Sequence, residues 1–349
     1  MTTTVLEHSG GGYALFRIPG IVCTETGVLL CCYECRYGES DWSAIDIGMR
    51  RSVDGGKSWS ERVILRSSGG RYTLNNPIFI PDGERVHLLY HRNYSQCFHS
   101  VSLDEGLSWS EPREITCAQE GLLDRYNWTV IAAGPGHGIR LRSGRLLAPV
   151  WMASDSKNIF SHRPSAVATL YSDDRGVTWK CGQILPTAPT LVNPNESCLA
   201  ELPEGGVKIF MRHETACRLR ASAVSPDGVS GWSEPAFVPG LPDPVCAAGL
   251  AGDGGRLWFS NCASQTAREN LTLRESLDGG VSWPRRLLLS RAAGYSDLCY
   301  APRWDRLFVF YEAEIHEAGR RELRLAVAAV APAELERPSP LQNTGGDTL

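Results

Sequence analysis

Apolar residues along this chain recur in short runs with a period of two. RVHLLYH (85–91), GRLLAPVWM (144–152), GVKIFMR (206–212), RLWFSN (256–261), RLFVFYE (306–312) and RELRLAVAAV (321–330) all read as strands. Amphipathic helix patterns are scarce. Between the runs one turn is written repeatedly: SVDGGKSW at 52–59, SLDEGLSW at 102–109, SDDRGVTW at 172–179 and SLDGGVSW at 276–283. A weaker copy, SPDGVSGW at 225–232, keeps Ser225, Asp227 and Trp232 but has no glycine at its fifth position. Glycine supplies positive φ, the aspartate accepts backbone N–H groups within the turn, and the tryptophan packs beside the adjoining strand. Successive aspartates are 50, 70, 53 and 51 residues apart. A period near 50 is that of a four-stranded propeller blade.

Five such marks, with strands beyond each end, predict an all-β fold: a six-bladed β-propeller of four-stranded antiparallel blades, one domain over residues 1–335. The last strands, at about 321–331, are expected to pair with N-terminal ones, because a propeller has to protect its edges. The interval of 70 signals an insertion, which carries GPGHGI at 134–139. That segment is neither GxGxxG nor a P-loop and reads as a structural loop. Residues 336–349 are expected to form a flexible tail.

Composition narrows the classes. The chain has 349 residues, 42% hydrophobic and 21% charged, with a formal net charge of −4. No global positive field draws it to nucleic acid or an anionic membrane. No segment approaches the ~18 apolar residues of a spanning helix. The first residues lack a charged region followed by an apolar one, so they do not read as a secretory signal, and a cytoplasmic location is expected. The twelve cysteines then read as free thiols. Cys31, Cys32 and Cys35 could suggest a metal cluster, but strand alternation sends Cys31 and Cys32 to opposite faces, so buried structural thiols are expected. No metal or organic cofactor is implied. Of the 35 basic residues only Lys57, Lys157, Lys180 and Lys208 are lysines. Some of the arginines could serve planar, bidentate capture of a carboxylate.

FRIP at 16–19, followed by these turns at blade spacing, resembles the sialidase (neuraminidase) superfamily, whose Asp-box (BNR repeat) the turn matches. The likeness runs from about Tyr13 to about Val330 and is to bacterial-type retaining exo-sialidases of glycoside hydrolase family 33. The resemblance implies roles for single residues. Arg17, Arg212 and Arg268 would hold the substrate carboxylate, with Arg274 as the alternative to Arg268. Tyr295 of GYSDLCY would be the nucleophile, and Glu196 of NESCLAEL its partner. Asp41 would be the acid/base, Glu312 would orient Arg17, and Arg36 would line the pocket. Glu201 is the rival to Glu196, and Glu39 to Asp41.

The chemistry explains the residue types. Sialic acids carry a carboxylate on the anomeric carbon, so converging guanidiniums can hold it and a neutral phenol avoids repelling it. An apolar pocket for the acyl group could draw on Trp42, Trp128, Trp151 and Met152. The Asn75-Asn76-Pro77 turn could face the cleft. The function implied is hydrolysis of terminal sialic acids from glycoconjugates through a glycosyl-tyrosine. Transfer to another glycan, intramolecular transfer giving an anhydro sugar, preference for the deaminated sugar, and a non-catalytic glycan-binding propeller are the alternatives. The partner expected is a sialylated glycan.

Overall fold

The computed structural model describes residues 1–187, 190–317 and 320–336. Nearly all of its regular structure is antiparallel sheet. The first sheet runs Leu15–Cys23, Leu29–Arg36, Ile45–Ser52 and Val63–Arg66, in sequence order. The second runs Leu74–Asp82, Arg85–Arg92, Gln96–Ser102 and Arg113–Glu114. The third holds Val130–Ala133, Leu146–Ala153, Ser165–Ser172 and Lys180–Cys181, with Ile139–Arg140 also paired to its second strand. The fourth holds Ser197–Glu201, Val207–Met211, Leu219–Ser225 and Ala236–Pro242. Each is a propeller blade: four strands in chain order, joined by hairpins.

The remaining strands form one seven-stranded sheet, from Gly249–Gly252 to Thr2–Glu7. Its middle strand, Arg285–Ala301, is 17 residues long. The N-terminal half pairs with Glu269–Ser276 and the C-terminal half with Arg306–Glu317. Dividing this sheet at that strand would give six blades; the hydrogen bonding leaves it continuous. Thr2–Glu7 pairs with Arg320–Val330, with Thr2 opposite Ala329 and Thr4 opposite Val327. The two ends of the chain thus close the ring. The tail expected from 336 lies outside the described residues except for Glu336, whose backbone bridges Arg286.

The turns explain why one motif recurs. In the first copy Asp54 accepts from Ser58 N at 3.0 Å and from the hydroxyls of Ser52 and Ser58. Asp104, Asp174 and Asp278 make the corresponding bonds. The glycine at the fifth position has positive φ, and a Cβ there would strike the preceding blade. At Gly106 it would meet Leu30 at 2.9 Å, and at Gly176 it would meet His87 at 2.8 Å. At Gly56 it would meet Phe308 of the last strands at 2.8 Å. The preceding blade also reaches in with a base. Arg51 donates to Glu105 O, Arg113 to Gly176 O and Val177 O, Arg145 to Asp227 O, and Lys208 to Gly279 O and Gly280 O. Each turn is therefore a latch between neighbouring blades.

The centre is just as close-packed. A Cβ on Gly20 would lie 2.5 Å from Gly136 O, and one on Gly249 2.7 Å from Asp297 Cα. Only glycine lets these inner strands approach. Asp297 accepts from Ile21 N at 2.9 Å, and His137 Nδ1 lies 2.9 Å from it. The GPGHGI loop is structural, and its histidine ties the third sheet to the last. All twelve cysteines are free thiols. Cys31 and Cys32 pack into different core clusters, on opposite faces of their strand.

The aspartates of the four full turns are held at about 2, well below the usual carboxylate range. In the first three the largest cause is the Ser or Thr hydroxyl bond; at Asp278 burial opposes, but the bonds prevail. A depressed folded-state pKa stabilises the protein above the unfolded value, near pH 4, and that stability is lost as pH falls toward 2. Urea unfolding at stepped pH should show this loss. Asp104→Ala should cost about 1 kcal/mol at pH 7 and make the acid loss shallower.

Candidate functional site

A cavity of about 320 Å³ is lined by Arg17, Arg36, Asp41, Glu196, Arg212, Arg268 and Tyr295. The inner strand Leu15–Cys23 brings in Arg17, and its hairpin partner Leu29–Arg36 ends at Arg36. Glu196 and Arg212 flank the hairpin of the fourth sheet, where Arg212 N bonds to Glu196 O at 2.9 Å. Tyr295 lies on the long shared strand, beside a register shift between Ala293 and Ser296.

The centre is a phenol–carboxylate–guanidinium cluster. Tyr295 OH donates to Glu196 Oε1 at 2.8 Å, and Arg212 Nη1 donates to both Tyr295 OH, at 2.5 Å, and Glu196. Tyr295 is buried. Burial pushes its phenol well above the usual range; Arg212 opposes this and Glu196 adds to it. The resting group is a neutral phenol. The guanidiniums of Arg17 and Arg268 stand 5.0 and 5.1 Å from its ring centre. Behind them Glu312 grips Arg17 with two bonds, of 2.9 and 3.1 Å. It also accepts from Ile18 N and Tyr295 N. Glu312 does not line the cavity.

Asp41 stands on a different wall. Its side chain is 44% exposed, and it accepts from Arg36 Nη1 at 2.7 Å. Arg36 is itself buried, its Nε donating to Glu34 at 2.7 Å. Burial would raise the Asp41 carboxyl, but Arg36, and further off Arg17, hold it below the ordinary range.

The structure separates the paired alternatives. Arg268 lines the cavity, whereas Arg274 is buried with its Nη1 on Asn261. Burial, with Arg286 nearby, lowers Arg274 to about 10. Glu201 sits at the far end of the strand that Glu196 precedes, lines a second cavity and accepts from Arg142 N. The two glutamates line different cavities. Glu39 is exposed and does not line the cavity.

Of the apolar candidates, Trp151 lines the cavity and Trp42 packs on Tyr94 at 4.8 Å. Met152 and Trp128 do not take part. They belong to the core cluster of the second and third sheets, because alternation turns Met152 away from the face that Trp151 uses. Asn76 lines the cavity with φ at 52° and donates to Ala133 O; Asn75 is buried, its side chain on Tyr94 N. Sequence reasoning missed Tyr94 and His162, whose rings lie 5.0 Å apart. It also missed Asn195, Arg163 and Glu214 on the same wall. His162 falls in the insertion already marked by the interval of 70, the one signal that could have found it.

The BNR repeat-like domain family matches residues 27–327. The chain is 29% identical over 355 residues to a sialidase of Bacteroides fragilis, an alignment covering 89% of this chain and 62% of that protein. It is 30% identical to a sialidase of Micromonospora viridifaciens, over 83% of this chain and 49% of that one. The chain thus spans about half to two thirds of these relatives. Among solved structures, Hadza microbial sialidase Hz136 superposes with a TM-score of 0.81 at 26% identity, over 96% of this chain and 69% of that one. The Ruminococcus gnavus intramolecular trans-sialidase shares the fold, with a TM-score of 0.76 at 16% identity, over 96% and 98%.

Packing predicts different outcomes at the two competing arginines. Arg274→Ala leaves a buried Asn261 oxygen unpaired and should lower the thermal midpoint by several degrees. Arg268→Ala removes one long bond, of 3.3 Å to Val245 O, and should leave the midpoint nearly unchanged. Scanning calorimetry of both variants checks this.

Proposed function

The chain belongs to the BNR repeat-like family, within the sialidase superfamily, and from that premise we propose that it is a retaining exo-α-sialidase. Its substrate is a terminal sialic acid on a glycoconjugate. The observation that carries this reading is the Tyr295–Glu196 hydrogen bond of 2.8 Å beneath the arginine cluster.

The substrate carboxylate lies against Arg17, Arg212 and Arg268. Arg17 suits this because Glu312 engages its Nε and Nη2 and leaves Nη1 without a carboxylate partner among the described residues. Charge-assisted bonds then fix the sugar ring over Tyr295. The phenol oxygen attacks the anomeric carbon as the bond to the leaving oxygen breaks. Its proton passes to Glu196, and the Asp41 proton goes to the leaving oxygen. In the second step Asp41 takes a proton from water, the water oxygen displaces Tyr295, and Glu196 returns the proton. Two displacements at one carbon retain its configuration.

Asp41 is held low in the free protein by two arginines. A substrate carboxylate on Arg17 weakens that field and raises Asp41 toward the protonated form that the first step needs.

Release of sialic acid, followed by NMR, tests the reading. Product NMR also separates free sugar from a transferred or anhydro product. Tyr295→Phe and Asp41→Asn should each lower turnover of sialyllactose by at least about 10²-fold with unchanged thermal midpoints. Asp41→Asn should cost less on a nitrophenyl sialoside, whose leaving group needs little protonation. Near-normal turnover in both variants would sink the assignment. Since Asp41 must be protonated, kcat/KM should fall as pH rises through its pKa. Removing Arg36 raises that pKa, so Arg36→Ala should move the falling limb to higher pH.

A further inference from the structure

Glu34 is fully buried and does not line the cavity, yet it bonds two residues that do. A spacing of two along one strand puts Glu34 and Arg36 on the same face. Arg36 Nε donates to Glu34 Oε2 at 2.7 Å, and Arg36 Nη1 donates to Asp41 Oδ1 at 2.7 Å. One buried guanidinium thus bridges two carboxylates, one sealed in and one 44% exposed. The other oxygen of Glu34, Oε1, accepts from Asn76 N at 2.8 Å. Asn76 belongs to the second sheet, holds left-handed backbone at φ 52° and reaches Ala133 O of the third.

Stability alone is a poor reason for such a carboxylate. A buried ion pair gives back in attraction little more than its two charges lost with their water. Burial raises the Glu34 carboxyl, while Arg36 and the Asn76 N–H oppose the rise.

The chemistry supplies a better reason. Asp41 has to carry a proton in the first step, and the positive charge of Arg36 works against that. A second carboxylate on Arg36 works for it, because its negative charge repels the ionised form of Asp41. The neighbouring groups cannot do this. Arg17 of the inner strand and His162 of the insertion act on Asp41 in the same direction as Arg36. Burial keeps the Tyr94 phenol neutral, and Glu196 is paired with Arg212. Among the described residues that leaves Glu34 as the anion opposing Arg36.

Resting on the sialidase reading, we propose that Glu34 is a positioning residue for the acid. Through Arg36 it fixes where Asp41 stands and how much positive charge reaches it. Through Asn76 it ties the adjoining blade to the same cavity.

The test is the pH profile of kcat/KM on sialyllactose. Glu34→Gln keeps the shape and removes the charge, so the full charge of Arg36 falls on Asp41. The falling limb should then move to lower pH by about one unit, opposite to the shift expected of Arg36→Ala. Glu34→Asp keeps the charge and should leave the limb near its original pH, even where turnover drops. A merely structural Glu34 would lower turnover equally at every pH, so an unmoved limb in folded Glu34→Gln overturns the proposal. A second measurement needs no variant at Glu34. In the unaltered protein the isotopically labelled carboxyl carbon of Asp41, identified by its loss in Asp41→Asn, should titrate in two steps by NMR. The lower step is its own, and the upper is that of Glu34, the group that burial raises. A single step overturns the proposal as well. If the unaltered protein releases no sialic acid, the sialidase reading fails and takes the catalytic role with it. The two NMR steps then still report the link between the carboxylates, so the two failures are told apart.

Discussion

The buried carboxylate of Glu312 holds the site together. It takes two bonds from Arg17, one from Ile18 N and one from Tyr295 N. Its donors come from the first blade and from the long shared strand, while Glu312 itself belongs to the strand paired with the last. One side chain thus orients the Arg17 guanidinium and fixes the backbone of the candidate nucleophile. Burial would push its carboxyl up, but Arg17 holds it below the usual range, so it stays charged. Breaking such a pair from one side costs about 3–5 kcal/mol, because the remaining charge is left stranded. Gly294 leaves it room: a Cβ there would lie 2.3 Å from Glu312 Oε2.

The centre works against folding, and the rim works for it. Arg17, Arg36, Arg212 and Arg268 crowd one cavity, and their mutual repulsion is offset only where a carboxylate pairs with them, at the first three. Two β-branched residues beside it sit in left-handed backbone: Ile18 at φ 61° and Val245 at φ 63°. Each such residue stores about 1–3 kcal/mol. Both are gripped through their backbone: Ile18 N bonds to Glu312, and Val245 N and O bond to Asp243 and Arg268. The latches supply the offset. An aspartate-ordered turn, a glycine against the preceding blade and a basic side chain from that blade on the turn's carbonyls recur around the rim. The candidate site and the latches are built from different residues, at opposite radii of the ring.

Much of this could be read from the chain because its signals are local. The turns, the alternating runs and the short motifs FRIP, NES and YSDL each sit within a few residues. What stayed hidden depends on partners far away in sequence. Arg51, Arg113, Arg145 and Lys208 look like ordinary edge charges until the next blade's carbonyls arrive. His137 looks like a loop residue until Asp297, 160 positions on, reaches it. The choice between Arg268 and Arg274 defeats strand parity, because Asn270 has φ 55° and the pairing shifts register between Leu271 and Thr272. Alternation cannot be counted across a bulge. Glu196 and Glu201 differ by which cavity they line, and that needs the direction of the strand.

Ring closure by Thr2–Glu7 against Arg320–Val330 has a consequence for how the protein comes into being. The first strand leaves the ribosome before its partner has been made. Until residue 330 has emerged, that edge waits unpaired, and so does the edge of Arg306–Glu317. The candidate site draws on residues from Arg17 to Glu312, so a nascent chain short of that point holds Arg17 without the carboxylate that orders it. The cavity is lined from Arg17 to Tyr295, so its walls meet only when most of the circle has been made.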